Sequence, residues 1–128
     1  MRGVRYDAAM SDSNRVRSAW DEAAGKRVMV AVIECEKITD FDIPALEAEF
    51  RSLLPTCGHR VAVDMGRVEL LGSSGLAFLI WLKRQCAGAQ GKAVFFGFSD
   101  EIMGMLKLTK LNTMLEIVAG KKEAVGAV

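Results

Sequence analysis

A chain of 128 residues with 51% hydrophobic and 26% charged residues has enough apolar material for one packed domain, which excludes global disorder. The net charge of +1 lacks the clearly basic balance typical of nucleic-acid binding. The longest apolar run, 76–82, is far below the ~18 residues of a membrane span, and the N-terminus lacks the apolar segment of a secretion signal. We therefore expect a cytoplasmic protein with no nucleic-acid binding and no membrane insertion.

The first part of the chain predicts a polar segment followed by a strand. Residues 1–13 are expected to form a flexible N-terminal segment, in which Met1 and Met10 are both candidate start residues. A short strand is predicted over 15–19. The turn-forming stretch 22–26 then separates this strand from the next one.

A buried strand and an amphipathic helix are predicted next. The apolar, β-branched run Val28 to Ile33 is typical of a strand covered on both faces. Asp42 is placed to cap the following helix, and Pro44 fits its first turn. Pro55 and Gly58 mark the end of the helix. Its buried face is predicted to carry Leu46, Phe50, Leu53 and Leu54.

The second half of the chain continues the alternation of strands and helices. This alternation predicts an α/β fold with a mixed, mainly parallel sheet. Ser99 is placed to cap the last long helix, with Asp100 and Glu101 in its first turn. The predicted elements are a strand at 60–65, a helix at 76–86, a strand at 93–98, a helix at 100–108 and a short strand at 113–118.

The cysteines and the single histidine do not indicate a metal or disulfide site. Cys35, Cys57 and Cys86 are widely spaced and lack a Cys-x-x-Cys pair, which favours reduced thiols. Cys35 and Cys86 are predicted core residues. His59 does not complete a zinc-ligand set, so we expect neither metal nor cofactor. A catalytic pair of Cys57 and His59 is a distant alternative, because side chains at i and i+2 rarely converge on one substrate.

The Gly-Ser-Ser-Gly run at 72–75 joins a predicted strand to a predicted helix. A hydrolase nucleophile elbow requires Gly-x-Ser-x-Gly, and Leu71 breaks that pattern around Ser73 while Leu76 breaks it around Ser74. No glycine-rich nucleotide-binding motif is present. Three interpretations stay open for the serine: a helix cap, an anion ligand or a phosphoryl acceptor.

The helix after this run is apolar on every side for nearly two turns. One interpretation is a helix buried between the sheet and its neighbours. The other is that one edge of the helix, formed by Phe78, Trp81 or Leu82, is exposed and docks a partner.

Four stretches of the sequence carry a family resemblance, with a spacing that matches from about residue 27 to residue 118. They are Val61-Ala-Val-Asp-Met, Leu71-Gly-Ser-Ser-Gly-Leu, Gly91-Lys-Ala-Val-Phe-Phe-Gly-Phe, and the stretch 102–111. In these stretches the chain resembles the STAS family, the anti-sigma factor antagonist domains. The resemblance implies a STAS-like (SpoIIaa-like) α/β fold, with a mixed four- to five-stranded sheet and helices mainly on one side. The expected domain covers 14–120 and is followed by a C-terminal tail at 121–128.

The resemblance also implies a non-catalytic function. In bacterial partner switching, such a domain binds an anti-sigma factor that is also a serine kinase, and the kinase phosphorylates the hydroxyl that corresponds to Ser73. A phosphatase then resets the domain, which is expected to be a monomer or a weak homodimer. The expected partner-binding residues are Thr39, Asp40, Gly72, Ser73, Ser74 and Gly75, together with Phe78 and Trp81 from the apolar helix.

The chain departs from the family pattern at two positions. Gly72 replaces the aspartate that precedes the phosphorylated serine, and Thr39 replaces a second loop aspartate, with Asp40 or Asp42 as substitutes if the loop shifts. The alternative is a STAS domain that is never phosphorylated. Such a domain would act as a scaffold in a signalling assembly or as a regulatory subunit of a lipid ABC transporter.

Overall fold

The computed structural model describes residues 5–6, 15–23 and 26–128. Its helices are α1 (Ile43–Leu53), α2 (Ser73–Gly88), α3 (Asp100–Leu108) and α4 (Lys121–Ala127), with short 3₁₀ helices at Leu54–Cys57 and Leu111–Thr113. Its strands are β1 (Arg5–Tyr6), β2 (Val16–Ala23), β3 (Lys26–Ile33), β4 (Lys37–Ile38), β5 (Arg60–Asp64), β6 (Leu70–Leu71), β7 (Lys92–Phe96) and β8 (Ile117–Val118).

The strands form one mixed sheet in the order β1-β2-β3-β5-β7-β8, and β4 and β6 form a separate two-stranded pair. β2 pairs antiparallel with β1 and β3, whereas β3, β5, β7 and β8 run parallel to one another. Helical crossovers are the connections that parallel strands require. The predicted α/β fold with a mixed, mainly parallel sheet is confirmed. The two-residue strands at both ends of the sheet raise the described strand count to six, above the four or five expected.

Both faces of the sheet are covered, because successive side chains of a strand point to opposite faces. On one face the larger core contains buried residues of α1, α2 and α3, including Phe50, Phe78 and Leu106. On the other face α4 places Ala124 and Val125 against the second set of strand residues. Helices therefore lie mainly on one side, as predicted. The segment 121–128, expected to be a C-terminal tail, contains α4 and packs on the other face of the sheet.

Several element ends differ from the prediction. The strand expected at 15–19 continues to Ala23, and the centre of the expected turn lies outside the described residues. β7 ends at Phe96 because Gly97 adopts a left-handed φ of 85°. The strand expected at 113–118 begins only at Ile117. Of the expected flexible segment 1–13, residues 5–6 pair with β2, and both candidate start methionines lie outside the described residues.

Candidate functional site

The small β4–β6 pair brings together two loops that are far apart in the sequence. Ile38 lies opposite Leu71 in a parallel register, so Thr39 and Gly72 leave the pair at the same end. α2 approaches this pair closely, because a Cβ on Gly75 would overlap the Leu71 side chain. We call the surface formed by Thr39, Asp40, Gly72, Ser73 and Ser74 the Ser73 edge. The pairing thus joins the predicted site residues of the two loops.

Ser73 is the first residue of α2 and is exposed. Gly72 occupies the N-cap position with an extended backbone, and no side chain caps the start of α2. The carbonyl oxygen of Gly72 accepts the first helical hydrogen bond, from the Leu76 N–H at 3.0 Å. The interpretation of Ser73 as a helix cap is therefore wrong. Its hydroxyl lies at the positive end of a 16-residue helix, where negative charge is favoured.

The Thr39 loop is held in place by the carboxylate of Asp42. This carboxylate accepts hydrogen bonds from the N–H and the Oγ1 of Thr39, both at 3.0 Å, and from Nε of Arg15 at 3.2 Å. The hydrogen bond from the Thr39 backbone is the largest cause of a lowered Asp42 pKa. Asp42 occupies the N-cap position of α1, but its side chain does not cap the helix. The expected helix cap is instead an anchor of the loop, while Asp40 stays exposed.

Two large apolar side chains beside the Ser73 edge were not among the predicted site residues. Phe41 is 83% exposed and Leu70 is 56% exposed. The Arg15 guanidinium lies 6.0 Å from the centroid of the Phe41 ring, so the residue that binds Asp42 also contacts this ring. The sequence alone could have indicated that Phe41 is exposed. This residue precedes α1 and does not belong to the apolar series Leu46, Phe50 and Leu53 of that helix.

The expected docking edge of α2 is largely buried. Phe78 is 1% exposed and Leu82 is fully buried, so neither offers a surface to a partner. The Phe78 ring lies 5.7 Å from the Phe50 ring and stacks on Trp81 at the same distance. The expectation of exposure is therefore wrong for Phe78 and Leu82, because both side chains fill the core beneath α1 and α2. Trp81 is partly exposed, and the Arg51 guanidinium lies 5.3 Å from its ring.

Cys57 and His59, the alternative catalytic pair, are not part of the Ser73 edge. Cys57 ends the 3₁₀ helix after α1, and His59 directly precedes β5, at the opposite end of that strand from the loop leading to β6. Burial raises the pKa of Cys57, and it raises the pKa of Cys86 to about 12. Among the described residues, no group of three or more His, Cys, Asp or Glu could hold a metal ion. No described helix is both long enough and apolar enough to cross a membrane.

Comparison with protein families identifies the class to which this fold and site belong. The family model described as "Mlab, STAS domain" matches residues 35–118, which is well over half of the chain. The match begins before the Thr39 loop and ends with β8, so it includes the whole Ser73 edge. The chain belongs to this STAS family.

Solved structures show the same fold. A STAS domain protein from Planctomyces limnophilus, described as an anti-sigma factor antagonist, superimposes with a TM-score of 0.67 at 18% identity. That match covers 86% of this chain and 96% of the Planctomyces chain. A candidate anti-sigma factor antagonist from Thermotoga maritima gives 0.67 at 17% identity, covering 77% of this chain and 86% of that one. No curated protein sequence is detectably similar.

Proposed function

We propose that this protein is a non-catalytic STAS signalling domain of the anti-sigma factor antagonist type, switched by phosphorylation of Ser73. In the unphosphorylated state the Ser73 edge binds an anti-sigma factor that is also a serine kinase. The phosphorylated state releases that kinase, and a phosphatase restores the hydroxyl in the cytoplasm. The observation that carries the proposal is the exposed Ser73 on the first turn of α2, next to the Thr39 loop.

Ser73 is placed where a phosphoryl group can be added without disturbing the fold. Its Oγ would attack the γ-phosphorus of ATP bound in the kinase, lose its proton and displace ADP. The product carries about −1.5 to −2 charges at neutral pH. These charges would lie at the exposed positive end of α2, where the helix dipole stabilises them by only ~0.3–1 kcal/mol. Because the effect on the domain is small, phosphorylation would act on binding rather than on folding.

The surroundings of Ser73 explain how phosphorylation would release a partner. Phe41 and Leu70 are exposed beside the Ser73 edge, and a complex on this edge would remove them from water. A phosphoryl group in the same interface would have to be desolvated, which is costly unless the partner pairs it with a cation. The neutral hydroxyl carries no comparable penalty. The proposed switch is therefore a change in the desolvation energy of one side chain.

The phosphorylation step is tested by measuring the intact mass of the protein recovered from its native host. We expect a fraction of the wild-type protein to carry one phosphoryl group. Ser74→Ala should keep this fraction, because Ser74 is half-buried in the first turn of α2 and is not the proposed acceptor. Ser73→Ala should lose it. No phosphoryl group on the wild type, or an equal fraction on Ser73→Ala, would refute the assignment.

The binding step is tested with the same variants as baits. The wild type and Ser73→Ala should retain a serine-kinase anti-sigma factor from lysate of the native host, identified by mass spectrometry. Ser73→Asp should retain much less of it. Retention that is equal for all three baits would contradict the proposed switch while leaving the binding surface intact.

A second candidate function is favoured by two residues and by the family match. The family resemblance implies aspartates at the positions of Gly72 and Thr39 in phosphorylated members, and the matching family model is described as "Mlab, STAS domain". A STAS domain that is never phosphorylated would use the same Ser73 edge as a scaffold, or as a regulatory subunit of a signalling assembly or a lipid ABC transporter. Such a domain would show no phosphoryl group, and its partner would bind wild type and Ser73→Asp equally.

A further inference from the structure

Charge is unevenly distributed along the helical part of this nearly neutral chain. No acidic residue occurs between Glu69 and Asp100, and none occurs between Glu101 and Glu116. These two intervals contain α2, most of α3 and the 3₁₀ helix that follows it. Their charged residues are all cations: Lys83, Arg84, Lys92, Lys107 and Lys110. Positive charge alone is therefore found from α2 to the 3₁₀ helix at Leu111–Thr113, apart from the first turn of α3, whereas α1 on the same side of the sheet carries charges of both signs.

Four of these cations are exposed: Lys83 and Arg84 in the second half of α2, and Lys107 and Lys110 on either side of Leu108 in the sequence. The Lys83 ammonium of α2 donates a hydrogen bond of 2.8 Å to the carbonyl oxygen of Met114, which fixes the two elements side by side. The Lys110 N–H donates to the carbonyl oxygen of Lys107 at 3.1 Å, so the chain turns tightly after α3. Leu108 is 85% exposed, and Met114 is 40% exposed. We call the following six exposed residues the basic tip: Lys83, Arg84, Lys107, Leu108, Lys110 and Met114.

The basic tip is separate from the Ser73 edge. α2 runs ten residues from Ser73 to Lys83, which corresponds to about 15 Å along its axis. The acidic residues nearest to the tip cations along the chain are Glu101, before Lys107, and Glu116, after Lys110, and the carboxylate of Glu116 is bound by Lys92 at 3.2 Å. The positive charge of the tip is thus not cancelled by a neighbour in the sequence, and it lies outside the surface proposed for the switch.

We propose that the basic tip binds peripherally to the surface of an anionic lipid bilayer. Its cations fit a negatively charged partner, and each lysine or arginine near an anionic bilayer strengthens binding about fivefold. The exposure of Leu108 favours a bilayer over an acidic protein as the negatively charged partner. A leucine with 85% of its surface accessible projects from the molecule. A protein would need a matching pocket to receive it, whereas the interface of a bilayer accepts an apolar side chain at any point.

The proposal is tested by co-sedimentation with vesicles at low salt. The full chain should bind vesicles of phosphatidylcholine and phosphatidylglycerol in equal amounts but not vesicles of phosphatidylcholine alone, and added salt should weaken the binding. Lys107→Gln/Lys110→Gln should lower the partition coefficient about 25-fold, from fivefold for each charge. Leu108→Ser should lower it about tenfold. All three substitutions are at exposed positions, so the variants are expected to fold.

A matched control removes the same charge from the other face of the sheet. Lys121→Gln/Lys122→Gln on α4 should bind anionic vesicles like the wild type. Equal losses for this variant and for the tip variant would overturn the proposal, because binding would then follow net charge alone. Absence of binding to anionic vesicles would also overturn it. Binding to polyglutamate but not to anionic vesicles would also overturn the proposal, because the partner of the tip would then be an acidic protein.

Discussion

Replacing Phe78 with alanine separates a core role from the docking role that the sequence suggested. The ring is 1% exposed and lies 5.7 Å from both the Phe50 ring and the Trp81 ring. Truncating a buried phenylalanine costs about 3–5 kcal/mol. We expect a value near the upper end, because two aromatic contacts of ~0.5–1.5 kcal/mol each are lost together. Taken from a domain stability of about 5–15 kcal/mol, this loss leaves between about 0 and 10 kcal/mol, so the variant would be much weakened.

The assay is urea unfolding of the partner-free protein, followed by far-ultraviolet circular dichroism. Ala77→Ser is a matched control on the same helical turn, because Ala77 is exposed, and its cost should stay within about 0.5 kcal/mol. A Phe78→Ala variant that loses less than about 1 kcal/mol would refute the core assignment. A lower affinity of Phe78→Ala for the partner would then support the docking role of Phe78.

Three further predictions follow from the described contacts. Gly91→Ala should lower the free energy of unfolding in urea by about 2 kcal/mol or more, because the added Cβ would overlap the His59 carbonyl. Gly88→Ala is the matched variant on α2, where the added Cβ meets open space, and it should raise the free energy of unfolding by about 0.5–1 kcal/mol. Asp42→Asn should cost about 2 kcal/mol at pH 7. The folded pKa of Asp42 is lowered, so its contribution is complete above the unfolded pKa of about 3.9 and is lost as pH falls through the folded value. The difference in stability between the two proteins should therefore shrink as the pH is lowered below about 3.9. Cys86, with a pKa raised to about 12, should not react with Ellman's reagent at pH 8 until urea unfolds the protein; rapid reaction of the folded protein at all three thiols would contradict its burial.

The elements that the sequence predicted well are those with strong local signals. The run Val28 to Ile33 is apolar at every position because both faces of β3 are covered, and α4 supplies the second cover. Ser99 was predicted to cap α3, and its Oγ accepts a hydrogen bond from the Ile102 N–H at 3.2 Å. Such features depend on neighbouring residues, so a single sequence reveals them.

The features that the sequence did not reveal depend on distant contacts. The burial of Phe78 requires α1 to lie against α2, and the stretch 76–82 of α2 has no polar residue that would mark its exposed side. Asp42 has the right position for a helix cap, but Thr39 and Arg15 bind its carboxylate instead. The β4–β6 pair has only two residues in each strand, too few to show a periodicity, yet it is the element that joins the two site loops.

The most direct test of the central claim is the affinity of the captured anti-sigma factor kinase for the wild type, Ser73→Asp and Ser52→Asp, measured by calorimetry. Ser52 is exposed near the end of α1 and serves as a control for added charge. We predict that Ser73→Asp weakens binding at least about tenfold, because an unpaired charge must be desolvated at the Ser73 edge, while Ser52→Asp binds like the wild type. Equal affinities for all three proteins would contradict a switch centred on Ser73.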